Sequence, residues 1–106
     1  MTETSREITW SGGTHAFDLG HPWVRRVMSY RGPAPAAVLS HFETGSYSPE
    51  DVERLIELGL IGGGMPERDV EALLDAQVRG KPLGPNVIIA STVLAALLVG
   101  ADNAGA

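Results

Sequence analysis

The chain has 106 residues, a formal net charge of −5 and no cysteine, and 43% of its residues are hydrophobic. The missing cysteine excludes disulfides, thiolate metal sites and cysteine nucleophiles together, and the acidic balance repels nucleic acid rather than steering towards it. The length supports a single domain over residues 1–106 with one hydrophobic core, and no basic segment followed by an apolar run opens the chain, so the cytoplasm is the expected compartment.

In chain order, Ile8-Thr9-Trp10-Ser11 and Thr14-His15-Ala16-Phe17-Asp18-Leu19 alternate with period two around Gly12-Gly13. Two glycines suit a tight turn, so a hairpin is expected over about 6–19. Centred on those glycines, it would pair Ser11 with Thr14, Trp10 with His15 and Ile8 with Phe17. Ile8, Trp10, His15 and Phe17 then share one face, and a lone hairpin must lay such a face on helices.

Gly20-His21-Pro22 ends the strand and opens a helix over about 22–31, stopped by Gly32. Val24, Val27 and Met28 form its inner stripe, with Trp23 and Tyr30 at the margins. The loop Pro33-Ala34-Pro35 resets the chain for a helix over about 35–44, with Val38, Leu39 and Phe42 on one face and Gly45 after it. Ser48-Pro49-Glu50-Asp51 is an N-cap, a first-turn proline and two acids at the positive end of a helix dipole. The helix it starts, about 49–61, buries Val52, Leu55, Ile56 and Leu60 and turns Glu50, Glu53, Arg54 and Glu57 to water. After Gly62-Gly63-Gly64, Pro66 begins a helix over about 66–79 with Val70, Leu73, Leu74 and Val78 inward. Asp51–Glu57 and Asp69–Asp75 follow one pattern. Two short copies are too few for a solenoid, and they read as an αα-hairpin able to clasp a further helix.

That further helix is the stretch about 85–99, which carries no charge from Val87 to Val99. Pro85 fits its first turn and Gly100 its end. The stretch is shorter than the roughly 20 residues a membrane crossing takes. A buried strand competes, given Val87, Ile88, Ile89, Thr92 and Val93, but the length and the flanking Pro and Gly favour helix. Residues 101–106 form a small-residue tail. The fold class expected is therefore α+β, mostly α: an N-terminal hairpin on a bundle of four to five short helices with an all-apolar C-terminal helix.

Reactive chemistry finds little support. His15, His21 and His41 come from a strand, a loop and a helix, with no ligand spacing, so no metal site is expected. None of the serines sits in a strand–elbow–helix setting, and the glycine runs lack the helix or Lys-Ser/Thr of a nucleotide site, so no catalytic residue and no cofactor is expected. Arg25, Arg26 and Arg31 with Trp23 and Tyr30 make a local basic, aromatic face. It leaves a small DNA-binding regulator as an alternative, although nucleic acid is not the expected partner.

The order of elements and the stretch Gly45-Ser46-Tyr47-Ser48 through Asp51-Val52, Leu55, Gly59-Leu60 and Gly62-Gly63-Gly64 resemble the small tail-assembly proteins of gene transfer agents and related long-tailed phages, the tail assembly chaperones. The resemblance runs over roughly Glu7 to Gly100. One departure is Val27-Met28-Ser29-Tyr30-Arg31, which lacks the acidic residue usual in the first helix of that family. The resemblance implies a non-enzymatic protein of the bacterial host cytoplasm that binds the tape measure protein, helps recruit tail tube protein and self-associates. The alternative is a structural tail tube or head–tail connector component, and the family has also carried a tail tube label. The candidate partner-binding residues are Leu60, Ile61, Leu94, Leu97, Leu98, Trp23, Arg25 and Arg26.

Overall fold

The structure is a computed structural model that describes residues 4–30 and 35–99, with Ser29 and Tyr30 described by their backbone alone. The expected Gly32 stop, the Pro33-Ala34 loop, the Gly100 stop, the 101–106 tail and Arg31 lie outside the described residues. Two strands, β1 (Ser5–Trp10) and β2 (Gly13–Asp18), precede five helices: α1 (Pro22–Tyr30), α2 (Pro35–Thr44), α3 (Pro49–Gly62), α4 (Glu67–Gln77) and α5 (Leu83–Val99). The fold is thus α+β and mostly α, as its sequence pattern implies.

The hairpin is antiparallel, but its turn sits one residue earlier than expected. Ile8 lies opposite His15, Thr9 opposite Thr14 and Trp10 opposite Gly13, so Ser11 and Gly12 make the turn. Neither Ser11 nor Gly12 has a positive φ; the positive φ, 118°, falls on Gly13, the residue that closes the turn, where glycine is favoured. Relative to the expected register each residue meets a partner two positions away. An even slip leaves every side chain on its own face, so Ile8, Trp10, His15 and Phe17 still point the same way. Trp10 Nε1–H donates to His15 Nδ1 at 2.9 Å, and the Trp10 and Phe17 rings meet edge to face at 5.9 Å.

That face lands on the helices. Phe17, Leu19, Val24, Val52, Ile56, Leu60, Val70, Leu74, Val93 and Leu94 are wholly withdrawn from solvent. Each buried aliphatic or aromatic side chain of this kind contributes about 1.5–3 kcal/mol relative to exposure. α3 is the central helix. It packs on β2, on α5, on α4 and on α1. Its start is the capping box written in its sequence: Ser48 Oγ accepts from the Asp51 N–H, and the Asp51 carboxylate accepts from the Ser48 N–H, both at 3.1 Å.

The C-terminal end of α3 seals the outer edge of β2. A Cβ on Gly62 would run into the carbonyl oxygen of Asp18, and one on Gly63 into that of Ala16, so glycine alone allows this approach. The αα-hairpin does not clasp α5 as expected. α4 packs chiefly on α3, while α5 is held by α3, α2 and the hairpin. Among the described residues a polar link joins α4 to α5. Asn86, 3% exposed, donates through Nδ2 to the Gln77 carbonyl at 3.2 Å.

Candidate interaction surface

The candidate partner-binding residues separate by burial. Leu60 and Leu94 are fully buried in the core, so neither has surface to offer, because α3 and α5 face each other along that side. Ile61 and Leu97 are half-buried against the core. Leu98 is 40% exposed and Trp23 41%, and Arg25 and Arg26 are exposed on α1.

A further exposed side chain escaped the sequence. Ile88 is 68% exposed, more than any other large hydrophobic residue among those described, and Val99 is 55% exposed. An all-apolar α5 implied burial on most sides. In fact one stripe of it faces outward, running through Gly84, Ile88, Thr92 and Val99 at helical spacing, with the half-buried Ala95 on the same line. Gly84, Thr92 and Ala95 are small or polar, which marked the stripe; Ile88 is the member that disguised it.

Two open grooves lie at the surface, and only the first borders this stripe. The first lies between β1 and α5, lined by Ile8, Thr9, Trp10, Pro85, Ile88 and Thr92. The second lies between α1, α3 and α4, with Val27, Leu58 and Ile61 as its floor and Trp23, Arg54, Glu57, Glu67 and Glu71 around it. Glu53 and Glu57 do not both turn freely to water, as the helical spacing suggested. Arg79 reaches Glu53, Glu71 and Asp75 at 2.8–3.1 Å and joins α3 to α4. Those three carboxylates hold the guanidinium above its ordinary pKa. Glu57 is raised above the ordinary carboxylate value, first by partial burial, then by the neighbouring Glu71 and Glu53 charges. Arg79 opposes that rise in part.

The histidines stay apart. His15 accepts from Trp10 in the hairpin, His21 Nδ1 accepts from the Trp23 N–H at 3.2 Å, and His41 is exposed in the last turn of α2. Among the described residues no group of three His, Asp or Glu side chains converges to hold a metal ion. None of the described helices is long and apolar enough to cross a membrane.

Exposed Trp23 and Ile88 beside open grooves, with Leu98 exposed further along α5, are the features of surfaces that meet other protein chains. The family comparison gives that surface its setting. The model of the family described as "Phage tail tube protein, GTA-gp10" matches residues 3–100, and the chain belongs to that family. No curated protein and no solved structure matches it significantly. The resemblance to phage and gene transfer agent tail proteins therefore holds. The chaperone role drawn from it is corrected by the family's description, which names a tail tube protein and favours the structural alternative.

Proposed function

We propose that this chain is a structural, non-enzymatic subunit of the tail tube of a phage-like particle, and that it works by associating with further copies of itself. The match of nearly the whole chain to the tail tube family carries this reading. The exposed Trp23, Ile88 and Leu98 support it, because a subunit that must meet neighbours keeps apolar side chains at its surface. Ile61, Leu97, Arg25 and Arg26, half-buried or exposed, are the further candidates for those contacts. The tape measure protein is the expected neighbour inside such a tube, and the host cytoplasm the place of assembly.

Quantitative mass spectrometry of purified particles tests the proposal. A tube subunit is present in many copies per particle and resists removal by salt washing. A chain missing from finished particles, or present in a trace that washing removes, is not a tube subunit.

A further inference from the structure

The two edges of the hairpin are treated differently. On β2 the Ala16 and Asp18 carbonyls lie against Gly62 and Gly63, which seals that edge. Backbone groups along an antiparallel strand point alternately towards and away from the paired strand. Ala16 and Asp18 point away, so their opposite residues on β1, Glu7 and Ser5, point away on the other side, and Thr9 follows in the alternation. Among the described residues no backbone hydrogen bond reaches Ser5, Glu7 or Thr9 from outside the hairpin. Ser5 is buried, whereas Glu7 and Thr9 are exposed. The open row therefore runs from Glu7 to Thr9. It carries no proline and no lysine, the residues that commonly keep an edge strand from pairing.

Beside this edge lies the groove between β1 and α5. Ile88 lines the groove there with Ile8, Trp10 and Thr92. A strand laid along β1 would gain backbone hydrogen bonds from the row and set alternate side chains into the groove, the two ingredients of strand addition.

We infer that the strand is β1 of a second copy, added antiparallel about a two-fold axis at Ile8, and that it pairs the unassembled protein into dimers. In that register Glu7 of each copy exchanges both backbone bonds with Thr9 of the other. Ile8 meets Ile8, and Arg6 meets Trp10, so no like charges oppose. Centring the pair on Glu7 would set two carboxylates face to face. The same surface patch serves both copies, so the contact closes at two. A tube of like-oriented copies grows through heterologous contacts instead. The dimer is therefore a property of the free chain and goes beyond the tube reading.

Sedimentation equilibrium and amide hydrogen exchange on the full chain test this. The expected result is a monomer–dimer equilibrium in which the Glu7 and Thr9 amides gain protection as concentration rises. Thr9→Pro removes an outward N–H without taking a backbone bond from the hairpin, though it gives up the hydroxyl bond between Thr9 Oγ1 and Thr14 Oγ1 at 2.9 Å. Ile88→Lys places a charge in the groove from an exposed position. Each is expected to weaken dimerisation about tenfold or more with the helical circular dichroism kept. Should Thr9→Pro disturb the hairpin, Ile88→Lys decides the matter. Ala36→Lys, exposed on α2, should leave the dimer unchanged. A wild-type chain monomeric at every concentration overturns the inference. So does a dimer whose Glu7 and Thr9 amides exchange as fast as in the monomer, or Ile88→Lys dimerising as the wild type. Protection of those amides only on adding an extended peptide of another sequence overturns it too. Presence in or absence from particles bears on none of these readings, so the two proposals fail separately.

Discussion

Arg79 Nε donates to the Glu53 carboxylate at 3.1 Å, across the gap between the loop after α4 and the first half of α3. The same guanidinium also holds Glu71 at 3.0 Å and Asp75 at 2.8 Å. One cation thus gathers three carboxylates from two helices, and a fourth, Glu57, lies close enough to feel both signs.

Arg79→Ala is expected to lower the melting temperature, because it leaves Glu53, Glu71 and Asp75 to repel one another. Arg79→Lys should recover only part of the loss, since an ammonium cannot fork to several carboxylates as a guanidinium does. Adding salt should narrow the gap between variant and wild type by screening the repulsion. Thermal unfolding at low and high salt gives both readings; a gap unmoved by salt would mean that packing, not charge, is what Arg79 supplies.

Glu57 predicts a pH dependence of opposite sign to that of a salt-bridged acid. Its folded-state pKa lies above the ordinary 4.5, so the folded protein takes up the proton more readily than the unfolded chain. Stability from this group is therefore fully present below 4.5 and falls as pH rises through the folded value. Glu57→Gln should unfold at higher temperature than the wild type at neutral pH, with the difference fading as pH drops below that window. A variant less stable at neutral pH would show that Glu57 is held by a favourable charge partner.

Gly62→Ala sets a helix-propensity gain of about 1 kcal/mol against a collision with the Asp18 carbonyl. The obstacle is backbone rather than the tip of a flexible side chain, so the collision should win, with a net cost of about 1–3 kcal/mol. Chemical denaturation measures it. Gly63→Ala, against the Ala16 carbonyl, should behave alike. A neutral or stabilised Gly62→Ala would mean that the α3 end stands off from β2.

Leu60 and Leu98 separate core from surface among the candidate contact residues. Leu60→Ala should cost about 2–5 kcal/mol through lost burial and the cavity left behind. Leu98→Ala, from a side chain 40% exposed, should cost less than about 1 kcal/mol. Equal costs would contradict their placement.

How much of this was legible depends on which forces set each element. The capping box of α3 was readable because Ser48, Pro49 and Asp51 act on their own neighbours in the chain. The face shared by Ile8, Trp10, His15 and Phe17 was readable because period two fixes it whatever the turn. The register was not, because Gly12 and Gly13 are the same residue to a sequence and only the folded turn decides which takes positive φ. α5 begins at Leu83, two residues before Pro85, the proline expected to open it, since a proline fits anywhere in a first turn. At the surface, the exposure of Trp23, Arg25 and Arg26 followed from the amphipathic spacing of α1. The burial of Leu60 followed from the helical stripe it shares with Val52, Leu55 and Ile56. The burial of Leu94 and the exposure of Ile88 did not follow from spacing, because the uniform hydrophobicity of α5 carries no direction.

That lack of direction gives Asn86 its weight. A cylinder greasy on nearly every side could roll about its long axis at little cost in burial, presenting one apolar residue in place of another. The amide of Asn86 forbids the roll. A turn of about 100° would carry it off the Gln77 carbonyl and strand a polar group in the interior, at a cost of about 1–3 kcal/mol. A single dowel between two helices therefore chooses the azimuth of the last one, and with it the identity of every residue left looking outward.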